Sequence, residues 1–115
     1  MLFHVRQILI FSKIVNLTSQ AGTKFKAAAA AHPAMVDPSD APKITIPIKL
    51  LPSKDEDKSA VEKYEAALTV KHEVEWYNDQ VHGFMAARGD LNDANVKKNY
   101  ENAYQSLLHW FHQNL

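Results

Sequence analysis

A chain of 115 residues with 46% hydrophobic and 23% charged residues is long enough for one small domain and too apolar to be disordered. Its 13 basic and 13 acidic residues give a formal net charge of zero, which argues against a nucleic-acid-binding surface or a polybasic membrane patch. The absence of cysteine excludes disulfides, thiolate metal ligands and a cysteine nucleophile, and it fits a reducing compartment, so we predict a cytoplasmic protein.

The first 17 residues form an apolar segment of their own. Arg6 and Lys13 interrupt it, so it is too short and too polar for a membrane span. It also lacks the basic start of a secretory signal peptide. We therefore expect no contact with a membrane and treat residues 1–17 as separate from the domain that follows.

Three apolar runs are candidate strands. Residues 25–31 are mostly alanine and end before Pro33, a pattern that suits either a short helix or a buried strand. Residues 44–51 are rich in β-branched side chains and apolar on both faces, as in a parallel strand covered by helices, although Pro47 interrupts them. Residues 73–77 alternate between apolar and polar side chains, which is typical of a strand.

Two segments are predicted helices. Residues 58–68 carry an apolar stripe, and Ser59 with Glu62 has the spacing of a capping box. The last segment is strongly amphipathic, with Asn92 or Asp93 as its cap. Its apolar positions are Val96, Tyr100, Ala103, Tyr104, Leu107, Leu108 and Phe111. Strands that alternate with helices predict an α/β fold with a parallel sheet.

Two loops follow candidate strands and carry groups that could act chemically. The first offers Asp55, Glu56 and Asp57, and the second offers Asp79 and His82. Ligands of open α/β sheets gather at the carboxyl ends of strands. If the two strands are neighbours they lie roughly 4.8 Å apart, so an acid of the first loop can reach the histidine. Such an acid would orient the imidazole for base catalysis, but the spacing alone favours a plain loop histidine.

The residues directly after His82 suit a tight loop at such a site. Gly83 would let the backbone turn sharply without a side-chain clash. We expect Phe84 and Met85 to border the site or to pack in the core. His32, which precedes Pro33, is interpreted as a loop histidine.

No metal or cofactor is predicted. His109 and His112 have a spacing that could hold a metal on a helix, but a solvated face explains them better and no third ligand is apparent. The acidic run at residues 54–58 lacks the ligand pattern and the glycine of a calcium loop.

Three stretches resemble the C-terminal half of the dienelactone hydrolase family, most closely its fungal members. They are HPAMVDPSDAPKITIPIKLLPSKDED at residues 32–57, EWYNDQVHGFMAARGDL at 75–91 and NVKKNYENAYQSLLHWFHQNL at 95–115. The resemblance covers residues 18–115, and the His-Gly-Phe loop and the acidic loop are its most specific parts.

The resemblance implies a partial α/β-hydrolase fold of about three parallel strands with flanking helices and an incomplete sheet. Members of the family hydrolyse lactones and related esters with a Cys, Asp, His triad, so the implied partner is a small ester or lactone. By position, Asp55 in SKDED resembles the triad acid and His82 in VHGF resembles the triad base. The resemblance also favours a strand at residues 25–31.

The sequence departs from the family at the nucleophile. The family places a Gly-x-Cys-x-Gly-Gly elbow just before the matched region, where this chain has VRQILIFSKIVNL. With no cysteine and only three glycines, neither that elbow nor Gly-x-Ser-x-Gly exists here, so we expect the chain alone to be inactive. The alternatives are a non-catalytic interaction module and a truncated gene product. The first of these rests on the edge that a strand at residues 25–31 would leave open to self-association without its neighbour.

Overall fold

The computed structural model describes residues 25–33, 36–86 and 88–114. The apolar segment expected at residues 1–17 lies outside this part of the chain. In chain order the elements are β1 (Ala28–Ala31), a 3₁₀-helix (Pro38–Lys43), β2 (Ile48–Leu51), α1 (Lys58–Ala67), β3 (His72–Val74) and α2 (Ala94–Asn114).

The three strands form one sheet in the order β1-β2-β3, and both strand pairs are parallel. Ile48 in β2 lies between Ala28 of β1 and His72 of β3. The predicted partial α/β fold, an open parallel sheet flanked by helices, is therefore confirmed. Among the two alternatives for residues 25–31, the strand is correct over its last four residues.

The strands are shorter than the sequence suggested, for a backbone reason. The predicted strand at residues 44–51 begins only at Ile48, because Pro47 has no N–H to donate to a ladder. The carbonyl of Pro47 still accepts a hydrogen bond from the Ala28 N–H at 2.9 Å. Every residue of β1 and β2 is buried, whereas β3 at the sheet edge is only half-buried.

Both helices begin at an aspartate. The Asp57 carboxylate accepts a hydrogen bond from the Ala60 N–H at 3.1 Å, so α1 begins one residue before Ser59 and the predicted capping box is wrong. The Asp93 carboxylate accepts hydrogen bonds from Asn95 and Val96 at 2.9 and 3.2 Å. Of the two caps proposed for α2, Asp93 is therefore the one used.

The long helix α2 packs on the sheet through a narrower stripe than predicted. Its buried residues are Ala103, Leu107, Trp110 and Phe111. The Trp110 indole N–H donates to the Ala28 carbonyl oxygen at 3.0 Å, which ties the helix to β1. Leu108 is 44% exposed and lies outside the stripe. None of the helices in the described ranges is both long and apolar enough to cross a membrane.

A polar cluster joins the strands to α2, and we call Lys49, Glu73, Glu75, Tyr77 and Ser106 the Lys49 cluster. The Lys49 ammonium lies 3.0 Å from Glu73 and 3.1 Å from Glu75, and the lysine side chain is only 7% exposed. Glu75 also accepts hydrogen bonds from the Tyr77 hydroxyl at 2.9 Å and the Ser106 hydroxyl at 2.5 Å. These bonds lower the pKa of Glu75, although its partial burial alone would raise it.

Candidate active site

The loops after β2 and β3 lie side by side because hydrogen bonding continues past the strands. The Tyr77 N–H donates to the Pro52 carbonyl at 2.8 Å, and the Lys54 N–H donates to the Gln80 carbonyl at 3.0 Å. Ser53 and Tyr77 form a parallel bridge between the two loops. The loops that the sequence singled out therefore meet at the carboxyl edge of the sheet, where open α/β sheets hold their ligands.

The ring of His82 is held by Glu56. Its Nδ1 lies 2.7 Å from a Glu56 carboxylate oxygen, and the Ser53 N–H donates to the other oxygen of that carboxylate. The Glu56 side chain is only 3% exposed, while that of His82 is 40% exposed. A carboxylate can only accept, so it favours the tautomer with the proton on Nδ1 and leaves the lone pair of Nε2 free to take a proton.

Asp55 contacts His82 at a different atom. Its carboxylate accepts a hydrogen bond from the His82 backbone N–H at 2.8 Å. The hydroxyl of Ser53 accepts from the Asp55 N–H at 3.3 Å, which orders the turn that presents both acids. Neighbouring carboxylates thus share one histidine, with Glu56 on the ring and Asp55 on the main chain. We call His82, Glu56 and Asp55 the His82 cluster.

Glu56 is the residue that the family resemblance passed over. The resemblance places the triad acid at Asp55, and the acidic loop offered three consecutive candidates. The contact with the ring depends on which side chain the turn at residues 53–56 directs inward, and Glu56 is buried there while Asp55 is exposed. The burial of one acid among three is the only signal that identifies it, and that signal comes from tertiary packing.

The glycine after His82 has the backbone role expected of it. Gly83 has a φ of 87°, in the left-handed region that L side chains rarely adopt. A Cβ at this position would also lie 3.3 Å from the Arg88 side chain. The turn continues through a hydrogen bond from the Arg88 N–H to the Gly83 carbonyl at 3.2 Å. Gly83 therefore shapes the loop that carries His82.

An open depression of about 370 Å³ lies beside the His82 cluster. The residues that line it are Pro33, Val36, Asp55, Glu56, Asp57, Ala60 and His82. Phe84 and Met85 are not among them; Phe84 is fully buried and packs against Tyr77 at a ring-centroid distance of 5.2 Å. Of the two readings offered for Phe84, core packing is the one observed.

The other charged candidates make no hydrogen bond or ion pair with the His82 ring among the described residues. Asp57 caps α1, and both Asp79 and the pair His109 and His112 are exposed. Within the described part of the chain, no group of three or more histidine and acidic side chains is arranged to hold a metal ion.

Comparison with known proteins agrees with this geometry. The sequence profile described as "Dienelactone hydrolase family" matches residues 12–115. Two uncharacterised AIM2 family proteins of Schizosaccharomyces pombe are 33% and 32% identical to the chain over 102 residues, or 84% of its length. The chain spans 41% of each of these relatives.

Proposed function

Because this chain belongs to the dienelactone hydrolase family, we propose that the His82 cluster is the base-and-acid part of a site for hydrolysis of esters or lactones. The observation that carries the proposal is the 2.7 Å contact between His82 Nδ1 and the buried Glu56 carboxylate. This contact lies at the carboxyl edge of a parallel sheet, beside a depression large enough for a small molecule.

In the proposed reaction, His82 acts as the general base. Its Nε2 takes the proton of a nucleophile as that nucleophile attacks the ester carbonyl, and later returns the proton to the leaving oxygen. Glu56 stabilises the protonated ring between these two steps and keeps the tautomer that leaves Nε2 free. Asp55 holds the main chain of His82 in register with the acidic loop.

The nucleophile is the missing part. The family's reaction uses a cysteine in a glycine-rich elbow, and this sequence contains no cysteine. Removing a nucleophile or an oxyanion donor costs orders of magnitude in rate. We therefore propose that this 115-residue chain is inactive alone and that a complete site needs a nucleophile and oxyanion donors from elsewhere.

Turnover is the first test. The purified chain is incubated with a five-membered lactone and with an aryl acetate, and product release is compared with that of His82→Ala. We expect no difference between the two proteins above the rate in buffer, because His82 has no nucleophile to activate. Turnover that disappears in His82→Ala would overturn the claim of inactivity and support the role given to His82.

Chemical labelling tests the base itself without any nucleophile. Diethyl pyrocarbonate acylates the unprotonated nitrogen of an imidazole, and mass spectrometry of the peptides follows each histidine separately. Labelling is carried out at about pH 9, well above the ordinary pKa of an imidazole, so that the ring is unprotonated with or without Glu56. Under these conditions we expect Glu56→Gln to slow labelling of His82 about fivefold, because the amide no longer stabilises the positive charge that develops on the ring. A fivefold effect is part of the roughly 2 kcal/mol that a charged hydrogen bond contributes. The labelling rates of the exposed His109 and His112 serve as internal references and should not change.

Two further variants make this labelling experiment decisive. Asp79→Asn removes an exposed charge from the same loop without touching the ring, and it should leave His82 unchanged. Asp55→Asn distinguishes the roles of the two acids. If it slows the labelling of His82 less than Glu56→Gln does, the result supports Glu56 as the acid on the ring. If Asp55→Asn slows the labelling and Glu56→Gln does not, Asp55 is the acid of the ring, as the family resemblance implies.

Besides a small substrate, the sequence suggested a second copy of the chain as a partner. We propose that self-association uses the edge of β1 away from β2, which pairs with no strand among the described residues, although the residues of β1 are themselves buried. Light scattering of the purified chain measures its mass directly. A stable monomer over a wide concentration range would contradict this part of the proposal.

A further inference from the structure

A second histidine lies against His82. His32 directly follows β1, at the same carboxyl edge of the sheet as the His82 cluster. The two rings meet edge to face, with centroids 4.9 Å apart and an interplanar angle of 76°. The sequence favoured a plain loop histidine at this position, although the family resemblance implied a residue near the active-site side.

The backbone of His32 is strained in a way that directs its side chain. Its φ is 39°, the only left-handed value of a non-glycine residue in the described ranges. Such a conformation costs about 1 kcal/mol for an L residue, so the surrounding structure must hold it. The His32 N–H donates to the Leu51 carbonyl at 2.8 Å, which extends the ladder between β1 and β2 by one bond and fixes the turn.

The ring of His32 is buried and makes little use of its polarity. The residue is 6% exposed, and its Nε2 has no hydrogen-bond partner among the described residues. Its other ring contact is with Phe84, at a centroid distance of 5.9 Å. Because no hydrogen bond from Nε2 holds this ring, its main contribution is its packing between His82 and Phe84.

The surroundings of His32 also disfavour the charged form of its ring. Burial, and then the neighbouring His82, lower the pKa of His32, and these effects outweigh Glu56 and a hydrogen bond to the residue's own carbonyl, which raise it. A neutral ring beside His82 does not repel the proton that a general base must accept. A second cation at this distance would do so.

We propose that His32 is a positioning residue, whose buried ring packs against the imidazole of His82 so that Nδ1 stays on Glu56 and Nε2 stays free. The inference deepens the proposed function, because it matters only if His82 acts as a base. Without this packing, the partly exposed ring of His82 has a contact with Glu56 alone and can rotate away from it.

The experiment measures the tautomer of His82 by nitrogen NMR of the full chain labelled at its histidines. In the unmodified protein, the tautomer with the proton on Nδ1 should dominate, because Glu56 accepts that proton. His32→Ala removes the ring, and the Nδ1–H fraction of His82 should fall about twofold or more, since free imidazoles prefer the other tautomer. His32→Phe keeps a neutral ring and should restore most of that fraction.

Leu107→Ala is the control for general loosening. Leu107 is 1% exposed and belongs to neither cluster. Its replacement by alanine opens a cavity under α2, which destabilises the fold without touching His82. The proposal is overturned if His32→Ala leaves the tautomer unchanged, if His32→Phe fails to restore it, or if Leu107→Ala changes it equally. The tautomer measurement needs neither a nucleophile nor diethyl pyrocarbonate. Failure of the labelling experiment with Glu56→Gln would therefore count against the proposed function alone.

Discussion

The Lys49 cluster and the His82 cluster are built from similar parts and differ in what they leave free. In both, two acids of a neighbouring strand or loop contact one lysine or histidine residue. In the Lys49 cluster the cation is buried and contacts both carboxylates. In the His82 cluster the acid on the ring is buried, the ring is partly exposed, and no acid of the described residues contacts its second nitrogen.

This difference separates a structural cluster from a chemical one. A buried ammonium with two carboxylates links β2 to β3, and Ser106 extends the link to α2. A histidine held at one nitrogen by a buried acid, beside an open depression, retains a free site for a proton. Variants of the Lys49 cluster should therefore change stability, and variants of the His82 cluster should change reactivity.

The largest expected effect is the loss of both acids around Lys49. The double variant Glu73→Gln with Glu75→Gln leaves the buried ammonium without a carboxylate, and we expect the free energy of unfolding to fall by about 3 kcal/mol. Urea unfolding followed by circular dichroism measures the change. Labelling of His82 in the folded variant should stay as in the unmodified protein.

Two controls sharpen this test. Glu62→Gln removes an acid whose contact with Lys58 is 4.0 Å long and exposed on both sides, so it should change the stability by less than about 0.5 kcal/mol. Lys49→Met removes the buried charge and leaves its partners half-exposed in water, so it should cost less than the loss of both acids. Equal effects of Lys49→Met and of the double variant would show that packing, rather than the unpaired charge, determines the loss.

The next effect lies in the loop that carries His82. A Cβ at Gly89 would overlap the Phe84 carbonyl oxygen, a backbone atom that cannot move alone, and we expect Gly89→Ala to cost about 2 kcal/mol. Gly83→Ala places an L side chain at a φ of 87° against the flexible Arg88, and we expect about 1 kcal/mol. Thermal unfolding compares the two variants. The order would be wrong if Gly83→Ala proved the more costly.

The smallest effect is a pH dependence in the Lys49 cluster. The folded state lowers the pKa of Glu75 below its ordinary value of 4.5, so folding favours the ionised carboxylate. The stability that Glu75 contributes is complete above that ordinary value and is lost as the pH falls through the lower, folded-state pKa. Urea unfolding in acidic buffers should show that the free energy of unfolding of Glu75→Gln approaches that of the unmodified protein as the pH falls. A constant difference between the two proteins would contradict the shift.

The larger features of the molecule were predictable from local patterns. Alternating strands and helices predicted the parallel sheet, and α2 was clear from its apolar spacing because a long helix repeats its signal many times. The lengths of the strands were harder to predict, since a single residue such as Pro47 can delay the start of a ladder. The cap of α1 was hard to choose, because Ser59, two residues after Asp57, offers an equally good local pattern.

The sequence predicted which two loops form the candidate site, but not which side chains contact one another there. The positions of the two loops follow from strand order, so the acidic loop and His82 were expected to meet. The role of His32 had no local signal, because the ring contact joins residues far apart in the chain.

The sequence by itself determined the fold class, the family and the two loops that carry charge, because these follow from short-range periodicity and motif. Only the tertiary structure decided that Glu56 holds the ring of His82 while Asp55 holds its main chain, and that His32 packs against both His82 and Phe84. Three consecutive acids are chemically alike in an extended chain. They become different only when the turn between sheet and helix buries one carboxylate and leaves its neighbours in water.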